Sequence, residues 1–424
     1  MLEFLSLSND AFGLEITDTF VRVMKFAPRG GKARAVSAGL APIAAGVMKD
    51  GEIKNENGLV SAIKEAIAKV AGEKIKIKRV VVSLPENKSF LQVIKMPKLR
   101  DEDLRAAVVF EAENYIPLPL EKVYLDFEIV SPPSAAENDN SGCEVLIAAF
   151  PRDAVDSRVQ AIMKAGLSPV AMELESQAVV RALLSGRISQ SPIVIFQIGD
   201  DKTNLIVYSE NSIRFTFSIP ISNRYFLETI AKSAQVDIKE ADILKIKCGI
   251  KEFTRMAEEE KNNDLSSLPQ VSIERRKIFE ALVPGLVDFV QQAKKCLQYY
   301  QTHEAGRGAV RGTIENILIC GSGSNLMGLD EFIALKLNAR VERALPFMGA
   351  KTVDYEGGIL PRQSLCGFAV AAGLAMRIFD DEARDHSDPG NIRAAARRGL
   401  KIERESKEVP TKNPSGPRRI KIGI

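Results

Sequence analysis

The sequence predicts an α/β fold, two related subdomains facing each other across a cleft with a small α+β subdomain inserted into the first, and three observations carry that reading. Residues 14–26, "LEITDTFVRVMKF", lie without a gap over residues 196–208, "FQIGDDKTNLIVY". Each reads as strand, turn, strand, with small or polar residues at the bend; Ile16 matches Ile198, Asp18 matches Asp200, and the apolar positions after the turns fall together. A hairpin that occurs twice, each time opening a βββαβ-like segment, marks a duplicated unit. Between the copies lies a block with its own alternation of strands and helices, and after the second copy an apolar strand runs into Gly321-Ser322-Gly323-Ser324.

The elements follow in order. After the first hairpin, "RVVVSLP" and "FLQVIKMP" read as paired strands. "RDEDLRAAVVFEAENYI" reads as a helix whose acidic first turn, Asp101 to Asp103, suits the positive end of the helix dipole; Leu104, Val108, Ala112 and Tyr115 recur near helical spacing as one apolar face. "VYLDFEIV" and "CEVLIAAF" add two strands around the loop "SPPSAAENDNSG", and the helix "RDAVDSRVQAIMKAG" closes the block at Gly166. This divides the chain into a first subdomain (10–75, 167–187 and 362–378), an inserted α+β subdomain (76–166), a second subdomain pair (188–361) and a basic tail (379–424). Past the second hairpin, "SNRYFLETIAKSA" and "IKEADILKIKCG" read as helices and "FTRMAEEEKNNDLSSLPQ" as an exposed connection. A long helix is expected over about 273–303, where Leu286, Val290, Ala293, Leu297 and Tyr300 form a stripe that a core-facing helix explains better than a partner seam.

Composition narrows the function classes. At 424 residues the chain exceeds the size of a single core, and its apolar content suffices for two. The five cysteines, Cys143, Cys248, Cys296, Cys320 and Cys366, are far apart with no C-x-x-C pair, and the only histidines are His303 and His386. That pattern points to a reducing compartment and against a zinc site. With no signal-peptide pattern at the start and no 18-residue apolar run, a soluble cytoplasmic protein is expected. The near balance of charge, +3 overall, gives no reason to expect a nucleic-acid partner. About ten Lys/Arg against about three acids fall in residues 390–424, whose Pro, Gly and few large apolar residues read as a disordered basic tail rather than a lipid-binding helix.

Chemistry concentrates at the two hairpin bends and the Gly-Ser-Gly-Ser turn. Glycine leaves no side chain in the way of a nucleoside or phosphate, although a plain strand-to-helix turn explains "CGSGSNL" equally well. Asp18, Asp200 and Asp201 at the tips would repel a bare triphosphate by roughly 1 to 4 kcal/mol per pair at about 4 Å; a magnesium ion would reverse that sign. Solvated turn aspartates are the alternative.

Three loops converging on one cleft form the constellation of the actin-like nucleotide-binding fold. The chain resembles the PilM family of type IV pilus assembly proteins, actin-like and close in fold to the division protein FtsA. The most specific part is "FEAENYIPLPLEKVYLDFEIV", which looks like the family's E-x-Y-I-P-x-P-L-E-x-V-x-x-D-x segment. "PRDAVDSRVQAIMKAGLSPVAMELESQAVVRAL", "FVQQAKKCLQYYQ", "GSGSNLMGLDEFI" and "SLCGFAVAAGLAMR" are similar too, so the resemblance covers most of residues 10 to 378. It implies a cytoplasmic adaptor of the pilus inner-membrane platform that binds ATP between its large subdomains, relays the state of the pilus motor, and holds the short cytoplasmic N-terminal segment of a membrane partner, PilN, beside the inserted subdomain. Membrane contact would then come only through that partner.

The implied nucleotide contacts are Glu15, Thr17, Asp18 and Thr19 in the first hairpin and Gln197, Gly199, Asp200, Asp201, Thr203 and Asn204 in the second. Gly321, Ser322, Gly323 and Ser324 would form the third loop, and Asp242 and Lys245, on one helix face by their i, i+3 spacing, would lie near ribose and base unless they form a surface ion pair. Glu15 and Asp200 are the implied magnesium ligands. Tyr115, Pro117, Leu118 and Pro119 are the implied peptide contacts, with packing as their alternative.

The chain departs from the family at telling points. Where the family reads D-I-G-S-S-S-V-K, residues 15–22 read Glu-Ile-Thr-Asp-Thr-Phe-Val-Arg; where it reads D-I-G-A-S-S-T-N, residues 197–204 read Gln-Ile-Gly-Asp-Asp-Lys-Thr-Asn. Ser222 and Asn223 stand where the family carries glycines. A neutral amide at Gln197 weakens the metal clamp that hydrolysis needs. An adaptor with little ATP turnover is therefore expected, ahead of an active ATPase or kinase of the same fold or an FtsA-like membrane-associated filament.

Overall fold

The computed structural model describes residues 10–29, 32–97, 99–131, 142–184, 191–251, 273–304, 314–347, 353–354, 359–385 and 421–422. In chain order the main elements are β1 (Phe12–Ile16), β2 (Phe20–Arg29), β3 (Lys32–Pro42), α1 (Glu56–Ala68), β4 (Arg79–Leu84), β5 (Phe90–Met96), α2 (Asp101–Ala112), β6 (Val123–Ser131), β7 (Cys143–Pro151), α3 (Arg152–Lys164), β8 (Ser168–Leu174) and α4 (Glu175–Leu184). The second half continues with β9 (Ile193–Ile198), β10 (Thr203–Ser209), β11 (Ser212–Ile219), α5 (Asn223–Ala234), α6 (Ile238–Lys247), α7 (Ile273–Tyr299), β12 (Asn316–Cys320), α8 (Leu329–Leu337), β13 (Arg340–Arg343) and α9 (Ala369–Asp385).

The internal repeat is visible in the sheets. In the first, β3, β2 and β1 run as an antiparallel meander and β1 then pairs in parallel with β4; in the second, β11, β10 and β9 form the same meander and β9 pairs in parallel with β12. The registers coincide: Glu15 faces Arg22 and Ile16 faces Val21, as Gln197 faces Asn204 and Ile198 faces Thr203. The two turns close alike, Thr17 N on Phe20 O at 3.0 Å and Gly199 N on Lys202 O at 2.9 Å.

Helices α4 and α9 lie between the sheets, contributing Ala178, Val179, Val370 and Leu374 to a core shared with Val81 of the first sheet and Ile195 of the second. They approach closely at Gly373, where a Cβ would sit 1.8 Å from Ala178 O. A buried carboxylate fastens the junction: Glu173, at the end of β8, accepts from Arg181 of α4 and from Arg377 of α9. The stripe on α7 faces inward, with Leu286, Val290, Ala293, Leu297 and Tyr300 all in the second subdomain's core.

Four expectations need correction. "RVVVSLP" and "FLQVIKMP" are not partners: β4 lies between β1 and β8 in the first sheet, while β5 pairs with β7 in a separate three-stranded sheet. Helix α3 likewise packs on the first core through Val155, Ala161 and Ile162. The insertion thus narrows to β5–α2–β6–β7, because an apolar strand's composition does not say which neighbour it pairs with. Tyr115 does not extend the buried face of α2; the helix ends at Ala112, and Ile116 turns inward instead. Regular structure also runs past residue 379, since α9 continues to Asp385 and Lys421–Ile422 pair in parallel with β8. Residues 252–272 and 132–141, which hold most of the two expected loops, lie outside the described residues, as do most of the tail and His386. All five cysteines are free.

Candidate functional site

The bends of the two matched hairpins meet at the mouth of the inter-subdomain cleft. A cavity of about 280 Å³ lies there, lined by both bends and by Arg158 of α3 and Glu175 of α4. Glu15, Thr17, Asp18, Gln197, Gly199, Asp200 and Asp201 line it; Thr19, Thr203, Asn204, Asp242, Lys245 and the Gly321–Ser324 loop do not.

The two bends grip each other. Asp18 N donates to Asp201 Oδ2 at 2.7 Å and Thr19 Oγ1 to Asp201 Oδ1 at 3.3 Å, while Arg224 pairs with the same carboxylate. Burial outweighs these partners and pushes the Asp201 carboxyl up. Thr17 is occupied with its own turn, its hydroxyl accepting from Phe20 N at 2.9 Å. Thr203 Oγ1 donates to Ile221 O at 2.6 Å and Ser324 Oγ to Gly321 O at 2.7 Å, so neither hydroxyl is free.

Asp200 is the centre of the arrangement. It is buried; its Oδ2 accepts from Arg22 Nη2 at 2.5 Å, and its Oδ1 from Ser322 Oγ at 2.6 Å and Asn223 Nδ2 at 3.4 Å. These donors come from the first hairpin, the Gly-Ser-Gly-Ser loop and the first turn of α5, whose N-cap is Ser222. Burial alone would raise the Asp200 carboxyl, but Arg22, Ser322 and Asn223 override it and hold the group below its usual range.

Arg22 also lies 3.5 Å from Glu15, so the pair expected to bind magnesium brackets a guanidinium. A cation there would have to displace a bonded arginine. Among the described residues no group of three or more His, Cys, Asp or Glu side chains is placed to hold a metal. Burial, only partly offset by Arg22, pushes the Glu15 carboxyl up to about 8, and its Oε2 has no hydrogen-bond partner. Glu15 is thus largely neutral at pH 7, a poor metal ligand.

In the second hairpin the corresponding pair is neutral. Asn204 Nδ2 donates to Gln197 Oε1 at 2.7 Å and to Glu175 Oε2 at 2.8 Å, and Ser218 Oγ donates to Asn204 Oδ1. Lys202 reaches Asn87 at 3.0 Å and Glu175 at 3.7 Å.

The third loop is packed rather than open. Gly321 has φ +89°, and a Cβ there would sit 2.3 Å from Ile198 O; one on Gly323 would sit 2.3 Å from Ile198 Cγ2. The glycines therefore make room for the end of β9. Asp242 and Lys245 do share a face, as a 2.7 Å ion pair, and the buried Lys245 also holds Asn223 Oδ1 at 2.6 Å and Ser322 O at 3.3 Å.

Mg-ATP fits this set of side chains badly. The donors suited to a phosphate, Arg22, Ser322 and Asn223, already serve Asp200, and Asp18 and Asp201 would face the same anion. Sequence reasoning missed Arg22, Glu175 and Arg158. Arg158 is buried on α3 with Nη1 donating to Gly51 O and with Nε and Nη2 unpartnered; burial lowers its guanidinium to about 10. Arg22 was legible only as the residue facing Glu15 across the hairpin. Tyr115, Pro117, Leu118 and Pro119 do not line the cavity and are all exposed, as is Phe110 on α2 at 73%.

The model of the type IV pilus assembly protein PilM family matches residues 13–256, and that of the cell division protein FtsA family matches residues 194–359. Among solved structures, the chain is similar to a PilM–PilN type IV pilus biogenesis complex, at 24% identity over 87% of this chain and 98% of that one, with a TM-score of 0.69. It is similar also to MreB 5 of Spiroplasma citri bound to AMPPNP, at 13% identity over 89% and 98% of the two chains, with a TM-score of 0.50. These likenesses give the fold: actin-like, with two mixed sheets and helices about a cleft of the nucleotide-binding kind.

Proposed function

The chain belongs to the PilM family of type IV pilus assembly proteins, and from that premise we propose that it is an assembly adaptor that captures a short N-terminal peptide of a PilN-like inner-membrane protein. The observation that carries the reading is a set of exposed apolar residues at the end of α2 on the inserted subdomain. Phe110 on α2 and Tyr115 and Leu118 just after it are 73%, 42% and 41% exposed, while Val108, Ala112 and Ile116 in the same stretch are buried. A helix end that keeps its inner face packed and presents aromatic and aliphatic residues outward suits an apolar peptide, and Pro117 and Pro119 stiffen the presenting segment. Among the described residues no helix is long and apolar enough to cross a membrane, so a membrane-bound partner is the means by which this chain would reach the platform.

The cleft is poorly equipped for efficient ATP turnover. Hydrolysis needs a positioned water and a metal clamp; here Gln197 is tied to Asn204, and Glu15 and Asp200 enclose Arg22.

Fluorescence anisotropy with a labelled peptide of the PilN-like N-terminal segment tests the adaptor role. Micromolar binding that Phe110→Asp weakens at least about tenfold, roughly 1.4 kcal/mol, supports it. No binding at micromolar peptide, or binding indifferent to that change, overturns it. Phe110 is exposed, so the variant should fold as the parent does.

A further inference from the structure

The cleft holds an oxyanion site whose ligand is already part of the chain. Three elements separate in sequence converge on one carboxylate: the Arg22 guanidinium from β2, the Ser322 hydroxyl from the loop after β12, and the Asn223 amide from the first turn of α5. A guanidinium, a hydroxyl and an amide aimed at one point form a receptor for a phosphoryl or carboxylate group. The first turn of α5 holds the residue by its backbone, Arg224 N donating to the Asp200 main-chain carbonyl at 3.1 Å. Lys245 stiffens the receptor, bonding to Asn223 Oδ1 and Ser322 O and so orienting two of the three donors toward Asp200.

We propose that Asp200 is a built-in anion occupying the oxyanion site between the two hairpins, so that the chain closes its cleft without a nucleotide and the same receptor would bind an external phosphoryl group once that carboxylate is removed. The contacts span the cleft, since Arg22 belongs to the first hairpin and Asp200 to the second. Asp201 repeats the crossing through Asp18 N and Thr19 Oγ1. Nucleotide in this geometry competes with a carboxylate that is covalently held in place and loses no translational freedom on binding. The proposal concerns the cleft and is independent of the peptide surface on the inserted subdomain.

Calorimetric titration of the full chain with Mg-ATP, and thermal melting with added inorganic pyrophosphate, test it on the parent, Asp200→Gly and Asp200→Asn. The parent should show no saturable Mg-ATP binding below about a millimolar. Asp200→Gly, with charge and side chain gone, should bind at least about tenfold more tightly, and pyrophosphate should raise its melting temperature while leaving the parent's unchanged. Asp200→Asn should fall between. If Asp200→Gly is too unstable to titrate, its recovery by pyrophosphate and the Asn variant carry the same comparison. Micromolar Mg-ATP binding by the parent overturns the proposal whatever the variants do. So does a folded Asp200→Gly or Asp200→Asn that gains no affinity for either probe.

Discussion

The two hairpins share strand order, register and turn, yet their cross-strand pairs do opposite work. In the first, Glu15 faces Arg22, and the arginine reaches across the cleft to Asp200; in the second, Gln197 faces Asn204, and the amide reaches the neighbouring helix at Glu175. One copy thus carries a buried cation committed to its twin, and the other a neutral amide pair that leans on the Glu175 carboxylate, with Lys202 at 3.7 Å from it. Duplication preserved the frame, and the side chains at two equivalent positions made the copies complementary. The difference explains how a buried acid at the second bend is tolerated: its cation comes from the first.

Removing that cation should have the largest effect. Arg22→Ala leaves Asp200 buried without its counterion, and breaking a buried pair from one side costs about 3–5 kcal/mol. Urea unfolding should show a loss of that size. Making the second hairpin resemble the first should come next. Gln197→Glu places a carboxylate against buried Glu175 and Asn204 with no arginine facing it, for a loss of about 1–3 kcal/mol at pH 7. The defect should shrink as pH falls and the new acid protonates, which unfolding at pH 5 against pH 8 would read. Asn204→Ala strips partners from Gln197, Glu175 and Ser218 and should cost about 1–2 kcal/mol.

The effect whose sign turns on pH belongs to Glu15. Its folded value near 8 exceeds the ordinary value of 4.5, so between those limits the folded state binds more protons than the unfolded one. Stability from this group is therefore complete below about pH 4.5 and is lost as pH rises toward 8. Glu15→Gln should flatten that slope, so the variant gains on the parent with rising pH; a constant difference from pH 5 to 8 would count against a buried, neutral Glu15.

Much of the frame was legible in the sequence. Ile16 and Ile198 fixed the hairpin alignment, and the alternating fours and threes from Leu286 to Tyr300 named the buried face of α7, because periodicity is local and burial imposes it. Strand partners were not legible: "RVVVSLP" is apolar on both faces as any central strand is, and nothing local told whether β1 or β5 lay beside it. The two bends line one cavity, but Gly321 and Gly323 make room for Ile198, and the Ser322 hydroxyl expected at a nucleotide is bonded to Asp200. Pairing across nearly 180 residues is a property of the closed cleft, and a single chain of letters carries no distance between Arg22 and Asp200.

A double-mutant cycle on that pair measures what holds the two hairpins together. Urea unfolding of the parent, Arg22→Ala, Asp200→Ala and the double variant yields the interaction energy directly. A buried, bonded pair should give a coupling at the upper end of the roughly 0.5–3 kcal/mol range, the double variant being much more stable than the two single losses would sum to. A coupling near zero would mean that Arg22 and Asp200 do not meet, and that the cleft is not closed by the chain's own charges.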